Sequence, residues 1–425
     1  MKFPQSLIST LVVLIFIVLC LGNQPFVFCG QKNSKNELYE KLDLFATVLS
    51  IIQNNYVDTV SSRDLIYGSL EGTLSSLDPH SQFLRPDGYK EVQIDTEGHF
   101  GGLGMEISVR DNALVIIAPV PGTPAFRAGL MPGDKIVRID GEIVDTPDLN
   151  LAVKKFRGPI GSKVEVTVYR PSSKQYITVE MTRDEIKIPS VLKAQLLPDT
   201  TIGYIKITQF QENTSRDFLK VIHELETQKM TGLIVDVRNN PGGLLEEAIV
   251  IAGILVGENK LIVYTKGRTP DQNLQKISPE KTHSIQVPLV ILINKGSASG
   301  SEIVAGSVQD YKKGVIVGET SFGKGSVQSL IPLKDGSALR LTTAHYYTPK
   351  GRIIHGKGIE PDVTVALSVE DLLTYNKKRQ QDYAPKLGDF ERNEAYKDAQ
   401  VMSAISVIGG ALVYLKPNTQ NSPSP

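Results

Sequence analysis

Hydrophobic and polar positions recur with different periods along the chain, and these periods predict the order of its elements. Apolar residues return every three or four positions over residues 37–56 and 62–77, as on one face of a helix. Further on, residues 202–207 alternate as a strand, whereas residues 215–228 and 244–256 have a helical period. Strands that alternate with helices predict a mixed α/β core that follows an N-terminal helical region.

Residues 287–328 combine this pattern with residue types that carry chemistry. Residues 287–293 have the length and β-branched composition of a strand, and small residues then lead into a helix that begins at Ser299. A second strand, residues 314–317, runs into a glycine-rich loop around Lys324. Ser299 therefore lies where a strand passes into a helix, a position that exposes its hydroxyl beside unpaired N–H groups.

Each of these two residues has an ordinary explanation when it is taken alone. A serine at a helix start is commonly a cap, and a lysine between glycines is commonly a solvated charge. Together Ser299 and Lys324 suit a nucleophile and its base, because burial lowers the pKa of a lysine and lets it accept a proton. Asp310 and Glu302 could support such a site electrostatically, or they could be ordinary charges on a helix surface.

The stretch resembles the carboxy-terminal processing proteases, which are tail-specific serine endopeptidases with a Ser-Lys dyad. The serine segment of that family appears at residues 297–302, and its Phe-Gly-Lys-Gly loop appears at residues 322–325. The resemblance implies that Ser299 is the nucleophile, that Lys324 is the general base and that Gln328 orients the lysine. It also implies acyl transfer without a cofactor.

A glycine turn in residues 232–243 is the second part of the expected site. A buried strand ends there in Asn-Asn-Pro-Gly-Gly, and the N–H groups of Gly242 or Gly243 begin the next helix, where they could stabilise an oxyanion. A tight turn that merely needs glycine is the plainer explanation. The resemblance implies that this turn is one half of the oxyanion hole and that the N–H of Gly300, where the family has alanine, is the other.

Residues 98–185 form a module of their own, with glycine-rich turns and short strands. Adjacent N–H groups in its Gly-Leu-Gly loop suit a carboxylate-binding nest. The module resembles a PDZ domain as tail-specific proteases carry it, which implies that Leu103, Gly104 and Met105 hold the carboxylate of a substrate tail. A spacer that binds nothing is the alternative. We also hypothesise that the module blocks the site until a tail binds.

These observations predict a multidomain α/β protein, with a mixed α/β protease core, an inserted PDZ β-barrel-like domain and helical N- and C-terminal segments. The expected boundaries are 1–30 for a signal peptide or membrane anchor, 36–97 for the N-terminal helical region, 98–185 for the PDZ domain, 186–369 for the Ser-Lys protease core and 370–425 for a C-terminal helical segment with a disordered tail.

The first 30 residues predict export. Lys2 precedes an apolar run over residues 7–21, whose length and flanks suit a secretory signal better than a full membrane span. An uncleaved anchor that keeps the protein at a membrane surface is the alternative. We expect a bacterial periplasmic location or the outer face of the inner membrane. Both cysteines, Cys20 and Cys29, lie in this segment, so disulfides are not expected to stabilise the remainder.

Composition narrows the expected partners. Lysine plus arginine balance aspartate plus glutamate at 46 each, so the sequence offers no global field for nucleic acid. We expect protein substrates with exposed C-terminal tails, an adaptor protein and further copies of the chain in a homo-oligomer. The six histidines are scattered without paired spacing, which predicts no metal site.

Rival chemistries fit the sequence less well. Residues 318–324 match GxxxxGK, but Gly325 replaces the Ser or Thr of a phosphate-binding loop and a strand follows instead of a helix. A Ser-His-Asp triad would use His345 or His355 as base and Asp236 as its orienter, but the GxSxG elbow is missing.

Two further interpretations concern the remaining residues. His80 lies in an Asp-Pro-His-Ser turn, where capping of nearby backbone is favoured over catalysis. A catalytically silent scaffold that assembles an envelope complex is the alternative from another class of function. The joint presence of Ser299, Lys324 and Gln328 argues against it.

Overall fold

The computed structural model describes residues 34–367 and 398–415, and the chain divides into two compact units, Met1–Gly72 and Thr73–Pro425. The helices are α1 Ser34–Asn55, α2 Ser62–Ser75, α3 Pro86–Glu97, α4 Pro124–Arg127, α5 Leu149–Phe156, α6 Thr214–Thr227, α7 Leu245–Val256, α8 Gly300–Asp310 and α9 Ala399–Leu415. None of these described helices is both long and apolar enough to cross a membrane. The predicted signal or anchor and most of the predicted C-terminal segment lie outside the described residues.

The strands of the described residues form four sheets. In chain order they are β1 Gln82–Leu84, β2 His99–Gly102, β3 Met105–Arg110, β4 Ala113–Pro119, β5 Lys135–Ile139, β6 Glu142–Ile143, β7 Lys163–Arg170, β8 Gln175–Thr182, β9 Asp184–Lys187, β10 Val191–Leu196, β11 Ile202–Ile207, β12 Gly232–Asp236, β13 Leu261–Gly267, β14 Gln275–Ile277, β15 Leu289–Ile293, β16 Val315–Gly318, β17 Ser326–Pro332, β18 Ala338–Tyr347 and β19 Val363–Thr364.

The main sheet has the strand order β10-β11-β12-β15-β16-β19. Its first pair is antiparallel and the other neighbours are parallel. Every residue of β12 and β15 is buried, as expected for parallel strands that are covered on both faces. Successive side chains alternate between the faces, so Ile291 packs with helices α6, α7 and α8, whereas Leu292 packs with α9.

A second, antiparallel sheet is built around β18. This strand pairs with β1 and β13 along one edge and with β17 along the other. Because β17 begins at Ser326, directly after the glycine-rich loop, its pairing with β18 fixes that loop. The N–H of Tyr346 donates to the carbonyl oxygen of Gly325 at 3.0 Å, which brings the end of β18 beside Lys324.

The inserted module has a sheet in the order β3-β4-β5-β7-β8, with β6 paired to β5. Its own core contains Leu114, Ile116, Val166 and Val168, all at most 1% exposed. A short helix, α4, precedes β5 in this module. The separate ribbon of β2 and β9 joins the two ends of the module.

The helices predicted from periodicity are present with small shifts at their ends. Residues 37–56, 62–77 and 215–228 correspond to α1, α2 and α6. The predicted C-terminal helical segment, residues 370–425, contains helix α9, which begins at Ala399. Helix α3 was not predicted, because its apolar residues are few and only Ile94 is buried.

Candidate active site

The turn between β15 and α8 holds Ser299 in a strained backbone conformation. Its φ of 53° and ψ of −113° are rare for a residue other than glycine and cost roughly 1–3 kcal/mol. Two buried neighbours hold the turn: the hydroxyls of Ser297 and Ser301 donate to the carbonyl oxygens of Val237 and Asn240 at 2.8 and 2.9 Å. Ser299 itself is only partly buried, so its side chain stays accessible from one side.

The carboxylate of Glu302 joins this turn to the glycine-rich loop. It is fully buried, and its Oε2 accepts the N–H of Ser299 at 2.8 Å and the N–H of Lys324 at 3.0 Å. Its Oε1 accepts the Ser321 hydroxyl at 2.6 Å and the Gly323 N–H at 2.7 Å. Burial raises the pKa of Glu302, and these four hydrogen bonds oppose that rise. The alternative of a surface charge for Glu302 is therefore wrong.

The environment of Lys324 favours its neutral form. Burial lowers the pKa of this amine, the Arg340 guanidinium lowers it further, and the Glu302 carboxylate opposes both effects. Arg340 lies on β18, where Nη2 donates to Oε1 of Gln82 and where the buried Nε has no hydrogen-bond acceptor among the described residues. An amine with a lowered pKa can accept a proton at a pH at which an ordinary lysine cannot.

Tyr346 is part of the site and was missed by the sequence analysis. It is 3% exposed, its hydroxyl donates to the carbonyl oxygen of Lys324, and it also hydrogen-bonds the Ser299 side chain. Burial and the Glu302 charge raise the pKa of Tyr346 well above its usual range, so it remains a neutral phenol. In the sequence it appears only as one aromatic residue of an alternating strand.

The glycine turn approaches Ser299 closely. A Cβ added to Gly242 would lie 2.6 Å from Cβ of Ser299 and 3.0 Å from the backbone nitrogen of Gly300. The N–H of Gly242 already donates to Oδ1 of Asn240 at 2.9 Å. Among the described residues, the N–H groups of Gly243 and Gly300 have no backbone acceptor. Of the two glycines proposed in this turn, Gly243 is the one with a donor available for an oxyanion.

Comparison with known proteins decides the family. The sequence model of peptidase family S41 matches residues 201–365, and that of the PDZ domain matches residues 101–181. The carboxy-terminal-processing protease of Bartonella bacilliformis is 39% identical over an alignment of 343 positions that covers 78% of this chain and 77% of that protein. The chain belongs to the carboxy-terminal processing proteases of peptidase family S41.

Other members of this protease family are similar over comparable lengths. Carboxy-terminal processing protease CtpB of Bacillus subtilis is 35% identical, over 86% of this chain and 75% of that protein. The solved structure of the photosystem II D1 C-terminal processing protease is 30% identical, with a TM-score of 0.44, over 76% of this chain and 92% of that chain. The predicted family is confirmed, and so is the predicted fold class of a mixed α/β protease core with a PDZ domain and helical end segments.

Two residues expected near the catalytic centre of this protease make other contacts. The side-chain amide of Gln328 donates to the Ser326 hydroxyl at 2.8 Å, on the strand that follows Lys324. Asp310, at the far end of α8, pairs with Arg352 at 2.5 Å and accepts the N–H of Lys350 at 2.8 Å. Asp310 therefore attaches the 348–352 turn to α8. Its side chain is buried, so the alternative of an ordinary surface charge is wrong, whereas electrostatic support of the site stays a prediction.

The Ser-His-Asp alternative finds no support. The Asp236 carboxylate is fully buried, accepts from the Tyr204 hydroxyl at 2.6 Å and pairs with Arg238 at 2.7 Å, which in turn pairs with Asp398 beside α9. His345 and His355 are exposed, and their ring centroids lie 4.8 Å apart. Asp236 therefore helps to attach α9 to the main sheet through Arg238, and it does not orient a histidine.

His80 lies in a turn that is attached to β18. In its turn the backbone cap is the Asp78 carboxylate, which accepts the N–H of His80 at 2.7 Å and that of Ser81 at 2.9 Å. The N–H of Thr342 on β18 donates to the Ser81 hydroxyl at 3.1 Å and so attaches the turn to that strand. Burial and the nearby Lys324 charge lower the pKa of His80. The interpretation of His80 as the capping residue is wrong, because Asp78 has that role.

In the loop predicted to bind substrate tails, the backbone carbonyl oxygens accept hydrogen bonds from the rest of the module. The carbonyl oxygen of Gly104 accepts both the N–H of Val120 and the hydroxyl of Thr123 at 2.8 Å, and that of Leu103 accepts the N–H of Ala125 at 2.9 Å. The N–H groups of Leu103 and Gly104 have no backbone acceptor among the described residues. Met105 begins β3, opposite Pro119 of β4. The loop therefore offers adjacent donors at the start of a strand, as a carboxylate nest requires.

Proposed function

We propose that the protein is a serine endopeptidase in which Ser299 is the nucleophile and Lys324 is the general base, and that it cleaves proteins near their C-termini. The observation that carries this proposal is the shared Glu302 carboxylate, which accepts N–H groups from both residues. The two candidates therefore belong to one buried hydrogen-bond network. Glu302 is a positioning residue, because its carboxylate accepts the backbone N–H groups of both residues and bonds neither the Ser299 hydroxyl nor the Lys324 amine.

The reaction follows from the chemistry of the two side chains. Neutral Lys324 takes the proton of the Ser299 hydroxyl, and the oxygen attacks the scissile carbonyl carbon. When the tetrahedral intermediate collapses, the C–N bond breaks and the ammonium of Lys324 protonates the leaving amine. Water then attacks the acyl ester while Lys324 accepts a proton from it. When this second tetrahedral intermediate collapses, the bond between the acyl carbon and the Ser299 oxygen breaks, and Lys324 returns the proton to that oxygen, which regenerates both residues. The lowered pKa of Lys324 supports its role in both steps.

Backbone donors stabilise the charge that develops on the carbonyl oxygen. We assign this role to the N–H groups of Gly300 and Gly243, because the N–H of Gly242 is already used by Asn240. Loss of one oxyanion donor typically costs about 10²- to 10³-fold in rate. We retain Gln328 as the residue that limits the freedom of Lys324. Its bond to Ser326, which begins β17, supports a position beside the lysine.

The PDZ domain supplies the substrate preference in this proposal. Its Leu103-Gly104-Met105 loop binds the terminal carboxylate of an unfolded tail, and the tail adds a strand to the domain. An adaptor could present such tails. Helix α1 exposes Leu38, Leu42 and Phe45 at 59, 51 and 39%, which supports self-association through this helix. The apolar run after Lys2 supports export, with contact to the membrane surface through the N-terminal segment.

A cleavage assay tests the proposal. The full chain is incubated with a loosely folded substrate that ends in an apolar tail, beside the variants Ser299→Ala and Lys324→Ala. Lys334→Ala, on the exposed turn after β17, is the matched control for loss of a lysine. We expect cleavage by the parent and the control, and none by the two site variants while circular dichroism reports them folded. Near-parental cleavage by Lys324→Ala would overturn the assignment of the base, and an inert parent would favour a scaffold.

A further inference from the structure

A second cluster of ligating side chains lies outside the residues of the active site. His223 and Glu226 are three positions apart on α6 and so share one side of that helix. His283 belongs to the connection between β14 and β15. Its Nε2 lies 2.8 Å from Oε1 of Glu226, and the ring centroids of the two histidines are 4.8 Å apart. One ligand atom from each of the three residues lies within 4.8 Å of the others.

We propose that His223, Glu226 and His283 bind a Zn²⁺ ion, with water as the fourth ligand. Two imidazole nitrogens and one carboxylate oxygen are a donor set that zinc takes with a solvent molecule in a tetrahedral site. Ligand atoms at about 2.1 Å from a tetrahedral ion lie about 3.4 Å from each other. The separations in the cluster, 2.8 Å between Nε2 of His283 and Oε1 of Glu226 and at most 4.8 Å among the three ligand atoms, lie on either side of this value. Mg²⁺ and Ca²⁺ prefer sites built from oxygen alone, so the cluster selects a transition metal.

The backbone on both sides of the cluster is already fixed. On α6, Ile222 and Leu225 lie in the core and are at most 1% exposed. In the connection, the N–H of Lys281 donates to the Glu258 carboxylate at 2.9 Å, and that of Ile285 donates to the carbonyl oxygen of Ile254 at 3.3 Å. The side chains of His283 and Glu226 are 33 and 36% exposed, so an ion can reach them from solvent. The ligands are therefore preorganised and accessible.

The position of the site indicates that a bound ion would stabilise the fold. A bound ion would clamp α6 to the connection that leads into β15, and β15 ends shortly before Ser299. An ion that binds only the folded protein stabilises it by mass action. The scattered histidines predicted no metal site, because Glu226 and His283 are 57 residues apart in sequence. Only the fold brings them together.

Zinc binding to the full chain without an added histidine tag tests the proposal. The protein is stripped with a chelator and dialysed, Zn²⁺ is titrated, and bound metal and melting temperature are measured. The variants are His223→Ala and His283→Gln; the glutamine can still donate a hydrogen bond to Glu226 but is a poor zinc ligand. His99→Gln is the matched control, because His99 also lies 3.9 Å from each of two carboxylates, those of Glu97 and Glu185.

We expect the parent and His99→Gln to bind one Zn²⁺ per chain and to melt about 4 °C higher with excess metal. Both cluster variants should bind zinc at least about tenfold more weakly and lose the shift, whereas Mg²⁺ should have no effect. Equal zinc affinity in all four proteins would place the ion elsewhere and overturn the proposal. No binding to the parent would show that the cluster is only a hydrogen bond between His283 and Glu226.

Discussion

Replacement of Glu302 by glutamine separates positioning from electrostatics at the active site. The carboxylate accepts four hydrogen bonds while fully buried, whereas the single amide oxygen of glutamine can accept two of them at most. The amide NH₂ would then face either the N–H groups of Ser299 and Lys324 or the Ser321 hydroxyl and the Gly323 N–H, so at least one N–H donor would lose its acceptor. A hydrogen bond to a charged group contributes about 1.5–3 kcal/mol, so the loss of two predicts a decrease of about 3–6 kcal/mol in the free energy of unfolding. Displacement of Ser299 relative to Lys324 predicts a loss of about 10²-fold in kcat/KM.

The same variant should also change the pH dependence of cleavage, because loss of the Glu302 charge acts on the pKa of Lys324. The Glu302 charge opposes the lowering of the Lys324 pKa, so its removal lowers that pKa further. The rising limb of the pH profile of kcat/KM should therefore move to lower pH even though the rate falls at every pH. The assay is cleavage of a tail peptide from acidic to alkaline pH. Unfolding in urea is followed by circular dichroism, because the chain has no tryptophan.

A matched control comes from a glutamate in the first turn of the neighbouring helix. Glu246 on α7 is 69% exposed and pairs only at the surface with Lys276. Glu246→Gln should keep the parental rate and change the free energy of unfolding by less than about 0.5 kcal/mol. Parental kcat/KM and stability in Glu302→Gln would refute the reasoning. So would a higher rate without loss of stability, since it would reduce the role of Glu302 to its charge.

Three other predictions follow from neighbouring contacts. Arg340→Met removes a cation that lowers the pKa of Lys324, so the rising limb of the pH–rate profile should move to higher pH; an unmoved limb contradicts this. Burial alone would raise the pKa of Asp236, but the adjacent guanidinium outweighs it and lowers the value to about 2. Asp236→Asn should therefore cost about 3–5 kcal/mol in urea unfolding at neutral pH. The parent should lose this advantage as the pH falls from about 4 to about 2, and a constant difference would be contrary evidence. Gly104→Ala strains a residue whose φ is 70° and should weaken the binding of a tail peptide about tenfold. Gly88→Ala is the control, because a Cβ added there meets no atom within 4 Å. Equal peptide binding by the two variants would argue against the carboxylate nest.

Local patterns in the sequence were sufficient to predict most helices and strands and to select Ser299 and Lys324 as candidate site residues. The apolar run, the small residues and the helical period around Ser299 are contiguous, so the strand-to-helix turn could be read directly. The glycine-rich loop was visible for the same reason. Comparison with relatives confirmed the family and the fold class, because both rest on such contiguous motifs.

Residues that act through distant contacts could not be assigned in this way. Tyr346 joins the site only because β18 pairs with β17. Asp310 forms an ion pair with Arg352, which lies 42 positions later in the sequence. The Lys324 charge affects the pKa of His80 because the turn that holds His80 attaches to Thr342, which is more than 260 residues further along the chain. The choice of Gly243 over Gly242 as the oxyanion donor depends on the Asn240 side chain, which accepts the N–H of Gly242. No sequence pattern predicts the orientation of that side chain. These contacts are tertiary, and local periodicity carries no information about them.

Covalent labelling of the nucleophile tests the central claim most directly. The full chain is treated with a fluorophosphonate, the labelling rate is measured and the modified residue is identified by peptide mass spectrometry. The account predicts a label on Ser299, loss of that label in Ser299→Ala and labelling at least about 10²-fold slower in Lys324→Ala, since the base is gone. A label on another serine, or labelling that survives Lys324→Ala and is lost in His80→Ala, would contradict it.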